Sequence, residues 1–241
     1  MKAFIQRALQ QILGYDRYLW YFTNYKLQTL RNDKNENDFF HFISLIDPSK
    51  TTLDIGANLG LMTYHLAKAS TDTVAIEPMP NNYEIIERVI RKYKLNNVLL
   101  LKCAVGNQNK EIQLVLPEVD GVKKQGLAHV VDEKMTEFNE GLKFTTNCIR
   151  IDDLVELKEK EIGAIKIDVE NFEYEVFLGA KETIQKHQPI IYCELWDNQN
   201  RLDCFQFFKE LNYSASVIVN RELQEVESNP SDIQNFFFLP N

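Results

Sequence analysis

Along residues 1–50 the apolar positions recur at helical spacing and show no strand alternation. Phe4, Ile5, Ala8, Leu9, Ile12 and Leu13 predict a helix that Gly14 ends. Tyr15 to Leu30 is rich in aromatics, with Tyr15, Tyr18, Trp20, Tyr21, Phe22 and Tyr25. A polar run from Asn32 to Asn37 reads as a loop. Phe39, Phe40, Phe42, Ile43, Leu45 and Ile46 then predict a short buried helix, stopped by Pro48. From Thr51 the rhythm changes. Leu53 and Ile55 mark a strand, Leu59 to Lys68 a helix, and Val74 and Ile76 a second strand. Tyr83, Ile86, Val89, Ile90 and Tyr93 form a helical stripe before a third strand, Val98 to Leu101. These strands are apolar without interruption, as a parallel sheet covered on both faces requires.

Residues 104–150 break this alternation. Glu111 to Leu116 and Phe144 to Ile151 read as strands. The polar stretch between them, with Gly121, Gly126 and Gly141, reads as an antiparallel excursion with a mobile loop, a natural home for substrate specificity. The α/β rhythm then returns. Asp152 opens a short helix carrying Leu154, Val155 and Leu157, and Ala164 to Val169 is a strand. Tyr174 to Lys186 is a helix with Val176, Phe177, Ala180 and Ile184 inward. Ile190 to Leu195 is a strand and Leu202 to Leu211 a helix. Ser214 to Val219 and Asn235 to Leu239 make a final hairpin, with Asn229-Pro230 in its connection.

A length of 241 residues suits one large domain with an extension, divided at 1–49 and 50–241. The formal charge of -8 argues against a nucleic-acid partner. No CxxC pair occurs among Cys103, Cys148, Cys193 and Cys204, which read as buried free thiols. Neither a signal peptide nor an apolar run near transmembrane length is present, so a cytoplasmic location is expected. The aromatic N-terminal segment reads as a helical cap, a homodimer surface, or a wall of the acceptor site.

Chemistry concentrates in two stretches. The first runs from Thr51 to Gly60, where Gly56 and Gly60 permit close backbone approach at the mouth of a strand. Asp54 is placed to hold an ammonium or to order the turn. A dinucleotide fingerprint needs a further glycine where Asn58 stands, and no P-loop lysine follows. Glu77, closing the second strand, is placed to accept hydrogen bonds from a ribose diol. A ribose without a pyrophosphate points to S-adenosyl-L-methionine. An NAD(P)-dependent oxidoreductase, a non-catalytic binding domain and a macromolecule methyltransferase are the competing readings. The second stretch is Lys166-Ile167-Asp168-Val169-Glu170. On a strand, Lys166, Asp168 and Glu170 would share one face, either as a structural ion pair or as a proton-accepting cluster. Glu194, near the end of the next strand, is placed to join it. His129, in the excursion, is a candidate acid-base group at the acceptor. No histidine or cysteine spacing suits a metal.

These motifs together resemble the FkbM-type S-adenosylmethionine-dependent methyltransferases. The matching residues are Leu53 to Gly60 with Thr63, then Glu77-Pro78-Met79-Pro80-Asn81, Asn97-Val98, Ala104-Val105-Gly106-Asn107 and Ile151-Asp152-Asp153-Leu154. Ile165 to Glu170 is the most distinctive block. Glu173, Leu178-Gly179-Ala180, Pro189, Glu194 and Phe237 to Pro240 continue the order. Asn171 replaces the glycine that usually follows Asp-Val-Glu. The resemblance implies a class I methyltransferase fold, an α/β seven-stranded mixed sheet in order 3-2-1-4-5-7-6 with strand seven antiparallel. It implies a cofactor site at Asp54, Gly56, Ala57, Asn58, Gly60, Thr63, Glu77, Pro78, Ala104 and Val105. It also implies O-methylation of a sugar, glycolipid or natural-product hydroxyl. Asp168 or Glu170 would serve as base, Lys166 as orienting cation, and Glu194 and His129 would face the acceptor.

Overall fold

In the computed structural model, residues 2–119, 121–131, 140–226, 230 and 232–241 are described. The chain opens with α1 (Lys2–Leu13), α2 (Tyr15–Thr29) and α3 (Asn37–Leu45). The polar run before α3 is not a loop but 3-10 turns, Leu30–Asn32 and Lys34–Glu36. Next come β1 (Thr51–Ile55), α4 (Leu61–Ala69), β2 (Asp72–Ile76), α5 (Pro80–Tyr93) and β3 (Val98–Leu101). The excursion contains β4 (Ala104–Val105), β5 (Lys110–Val119), β6 (Val122–Lys123), β7 (His129–Val130) and β8 (Gly141–Ile149). The remainder is β9 (Ile162–Ile167), α6 (Glu173–Leu178), α7 (Lys181–His187), β10 (Ile190–Glu194), α8 (Gln199–Glu210), β11 (Tyr213–Val219), β12 (Glu222–Glu225) and β13 (Asn235–Pro240).

The main sheet has eight strands in the order β12-β11-β13-β10-β9-β1-β2-β3. Strands β10, β9, β1, β2 and β3 are parallel, and β13 runs antiparallel to both β10 and β11. The expected seven-stranded sheet is therefore corrected in count and, by the added edge strand β12, in order. The polar sequence of β12 hides a strand. Asn220 and Arg221 take φ values of 53° and 71°, which closes a two-residue hairpin onto β11. Asn229, in the expected connection, lies outside the described residues, as does the 132–139 stretch of the excursion. No helix among the described residues is long and apolar enough to cross a membrane. The four cysteines are buried and free.

Other differences have local causes. The helix expected from Tyr174 to Lys186 is two helices. A Cβ at Gly179 would lie 2.0 Å from the Gly106 carbonyl oxygen, so the chain is pressed against the excursion there. The Asp152 carboxylate then accepts from the backbone N–H groups of Glu182 and Thr183, restarting the helix as α7. The short helix expected from Asp152 is a pair of 3-10 turns, Ile151–Asp153 and Val155–Leu157. At the sheet edge, Leu99 of β3 is 38% exposed, so this strand is not covered on both faces.

Strand alternation divides the core. One face carries Leu53, Ile55, Val74, Ile165, Ile167 and Ile191, packed on Val176, Phe177, Ile184 and Phe208. The other carries Ala164, Tyr192 and Phe237 and is covered by Phe39 and Phe42 of α3 and by Leu66 of α4. Phe42 stacks on Tyr192 with ring centroids 5.3 Å apart. Helix α3 thus shares with α4 the cover of this face of the central strands. Phe42→Ala is expected to lower the unfolding free energy by about 3–5 kcal/mol. The check is a lower urea midpoint with an unchanged slope.

Candidate functional site

The turn after β1 is built by proximity to β9. Gly56 has φ 72°, and a Cβ there would lie 1.9 Å from the Asp168 carbonyl oxygen, so the turn requires glycine. Its N–H and that of Ala57 both donate to the Ile76 carbonyl at 3.1 Å. Beneath the turn, the Thr63 hydroxyl donates to Asp54 Oδ2 at 2.5 Å. Lys166 Nζ donates to the Gly56 carbonyl at 3.0 Å and lies 3.4 Å from Asp54 Oδ1 and 3.9 Å from Asp168 Oδ2. Burial of this ammonium works to lower its pKa, but the Asp54 and Asp168 carboxylates outweigh it and raise the pKa. Gly60, also left-handed at φ 73°, precedes α4.

Asn58 is left-handed too, at φ 51°, and its N–H donates to Glu77 Oε2 at 2.8 Å. Glu77 Oε1 accepts from Met79 N–H at 2.9 Å and from Asn82 Nδ2 at 3.2 Å. The carboxyl is 3% exposed, and burial pushes its pKa up to about 7 against the pull of these hydrogen bonds. Beside it opens a cleft of about 640 Å³, mouth included. Its apolar wall comes from Met79, Ala104, Val105, Leu114, Val130 and Phe172. Glu77, Asp168 and Glu170 face it, and no Lys or Arg among the described residues lines it.

The expected single face of Lys166, Asp168 and Glu170 is corrected. Strand β9 ends at Ile167, and Glu170 and Asn171 adopt φ values of 53° and 72°. Lys166 and Asp168 still share a side. Glu170 turns toward the cleft and toward a groove lined by Tyr174, Asn198 and Asn200. Burial, then Asp168, Glu194 and Glu173, hold the Glu170 carboxyl well above the ordinary carboxylate range. Asn171 thus takes the left-handed backbone that a glycine would take. Glu173 organises this loop: its Oε1 accepts from the N–H groups of Val169 and Asn171, each at 3.2 Å, and its Oε2 from Asn200 Nδ2 at 2.7 Å.

The structure brings Gly56, Asn58, Glu77, Pro78, Ala104, Val105, His129, Asp168 and Glu170 to the cleft. His129 is buried in its roof, with Nδ1 2.8 Å from the Leu127 carbonyl oxygen. Asp54, Gly60 and Thr63 lie under the turn and outside the cleft lining. Ala57 instead borders another cavity below α2, beside Phe22 and Leu30. Glu194 lines a further cavity of about 730 Å³, mouth included, with Glu36, Met62, Lys166, Asp168, Tyr192 and Asn235. Asp168 therefore borders both the cleft and this second cavity. Sequence reasoning missed Glu36 and Asn235, which sit in no motif, and the role of Asn82, whose signal was its place just after the Glu77 block. Among the described residues no group of His, Cys, Asp or Glu suits a metal ion.

A family model described as the methyltransferase FkbM domain matches residues 54–215. The chain belongs to the FkbM methyltransferase family. Among solved structures, the methyltransferase FkbM from Methylobacillus flagellatus KT is 17% identical with a TM-score of 0.54. That match covers 79% of this chain but 44% of the other, so the chain spans less than half the length of that FkbM relative. A putative methyltransferase from Streptococcus mutans in complex with SAH is 11% identical, covering 86% of this chain and 96% of that one, with a TM-score of 0.49. A SAM-dependent O-methyltransferase from Thermotoga maritima is 12% identical, covering 88% and 69%, with a TM-score of 0.46. No curated protein matches the chain. The FkbM chain shares its fold, a mixed α/β sheet flanked by helices, with the Methylobacillus flagellatus structure.

Glu194 offers a test of the site's electrostatics. Burial, followed by the repulsion of Asp168, raises its pKa from 4.5 to about 7. An acid raised in this way binds more protons when folded than when unfolded, so its contribution to stability is lost as pH rises from 4.5 to about 7. Glu194→Gln is therefore expected to gain stability relative to the parent across that window and to hold the gain above it. Denaturant midpoints measured at pH 4, 6 and 8 check this, and a pH-independent difference contradicts it.

Proposed function

We propose that this FkbM methyltransferase transfers the methyl group of S-adenosylmethionine to a hydroxyl oxygen of a sugar, glycolipid or natural product. The observation that carries the reading is the position of Asp168, which borders the cleft on one side and the second cavity on the other. A methyl donor in the first and a hydroxyl in the second would meet at its carboxylate.

The lining of the cleft supports the cofactor. The acidic lining of the cleft, with Asp168 and with no Lys or Arg among its described residues, opposes a pyrophosphate, which disfavours NAD(P). The same field favours a ligand with a sulfonium and an ammonium. Glu77 uses three hydrogen bonds from the chain. A carboxylate offers about four acceptor positions, so capacity remains for a ribose hydroxyl. The apolar wall suits a flat base. Gly56 and Asn58 would lie along the methionine portion, with Asp54 and Thr63 holding the turn from beneath.

When bound, the cofactor supplies a methyl carbon whose bond to sulfur breaks, leaving the electron pair on sulfur, as its bond to the acceptor oxygen forms. The chain's task is alignment and proton removal. Reacting atoms need to be held at about 3 Å in line. Asp168 accepts the hydroxyl proton as attack proceeds, a contribution of about 10²–10⁴ in rate. Lys166 keeps that carboxylate in place. Glu170, held protonated by its surroundings, is the poorer base and is free to donate a hydrogen bond.

Asp168→Asn is expected to leave S-adenosylhomocysteine affinity within about threefold and to cut turnover by about 10²–10⁴. Calorimetry and a methyl-transfer assay separate the two, and undiminished turnover rejects the base. Glu77→Ala is expected to weaken S-adenosylhomocysteine binding by about 10–100-fold. In a thermal-shift comparison, protection by NAD rather than by S-adenosylhomocysteine would overturn the whole reading.

A further inference from the structure

The second cavity has an unbalanced inventory of charge. Glu36 reaches it from the 3-10 turn Lys34–Glu36, Asp168 from the end of β9 and Glu194 from the end of β10. Lys166 is the one cation among its described lining residues. That ammonium is already committed to the Gly56 carbonyl, Asp54 and Asp168. Neither the Glu36 nor the Glu194 carboxylate makes a hydrogen bond or ion pair with a described residue. An independent group points the same way. Tyr192 is 5% exposed, and its ring is wedged among Phe39, Phe42 and Phe237. Its hydroxyl has no hydrogen-bond partner among the described residues, while the side chain lines the cavity.

A polar group that faces a cavity and has no partner on the chain keeps its full capacity to pair with a ligand. A neutral polyol would supply hydrogen-bond donors but leave the carboxylates without a counter-charge. An ammonium supplies both, through hydrogen bonds about twice as strong as neutral ones. We propose that the second cavity takes an acceptor with a protonated amine beside the hydroxyl to be methylated, an amino sugar or amino alcohol. Glu194 and Glu36 bind the ammonium, the Tyr192 hydroxyl holds a neighbouring polar group, and Asp168 faces the reacting hydroxyl. Burial, more than any neighbouring charge, raises the pKa of both Glu36 and Glu194. The assignment rests on the reading of Asp168 as the meeting point of donor and acceptor.

The test uses the full chain, saturated with S-adenosylhomocysteine at pH 8, and titrates glucamine and sorbitol by calorimetry. These probes differ by an amine in place of one hydroxyl. Glucamine is expected to bind roughly tenfold or more tightly than sorbitol. Glu36→Gln and Glu194→Gln are each expected to erase most of that preference and leave S-adenosylhomocysteine affinity unchanged. Tyr192→Phe, which removes a single oxygen, is expected to weaken glucamine while circular dichroism remains that of the parent. Equal binding of the two probes, binding of neither, or a preference that survives the glutamine variants overturns the proposal. So does a loss of S-adenosylhomocysteine affinity in those variants, which would give the carboxylates to the cofactor instead. If the parent chain fails to bind S-adenosylhomocysteine at all, the methyl-transfer reading falls first.

Discussion

A buried ammonium ties the site together. Lys166 is 3% exposed, and a charge so placed survives only where partners replace its water. Its partners belong to different parts of the chain: the Gly56 carbonyl in the first turn, Asp54 on β1, and Asp168 just past β9. Asp54 in turn accepts from Thr63, which fixes the start of α4. One cation therefore sets the spacing between the glycine turn and the carboxylate at the boundary of the two cavities. Removing it would leave Asp54 buried and uncompensated, a far larger cost than the loss of one surface pair.

The carboxylates around it are handled in two ways. Glu77 and Glu173 are buried but surrounded by N–H donors, so they act as clamps that shape their own loops. Glu36, Glu170 and Glu194 lack such cover, while burial raises the pKa of all five carboxyls. The first pair holds the architecture. The second group leaves electrostatic demand facing the cavities, which is the property a binding site needs.

The N-terminal helices serve both core and site. Phe39 and Phe42 cover the face of the sheet that α4 leaves open, and the turn just before α3 carries Glu36 to the second cavity. Packing and chemistry are coupled there: the ring that Phe42 stacks against is that of Tyr192, a residue that lines the same cavity.

What was legible in the sequence is what short-range periodicity determines. The strand–turn–helix at Leu53 to Gly60, the carboxylate closing β2 and the Lys166–Asp168 pair follow from spacing within a few residues. Helical spacing in residues 1–50 likewise announced α1 and the buried α3, although Ile5, Leu9 and Ile12 of α1 are exposed, and Asn171 was legible as a residue able to replace a left-handed glycine. Other features depended on groups distant along the chain. The polar strand β12 exists because its hairpin meets the edge of β11. The break between α6 and α7 reflects the contact of Gly179 with Gly106 and the reach of Asp152. Glu170 leaves the strand face because β9 stops at Ile167, a boundary that alternation alone does not reveal. Glu36, Asn235 and Tyr192 converge only through folding, since no local pattern relates residues so far apart. The sequence by itself determined which residues could carry chemistry. The tertiary structure decided which carboxylates are satisfied by the chain and which face a ligand, because burial and partnership are properties of packed surfaces.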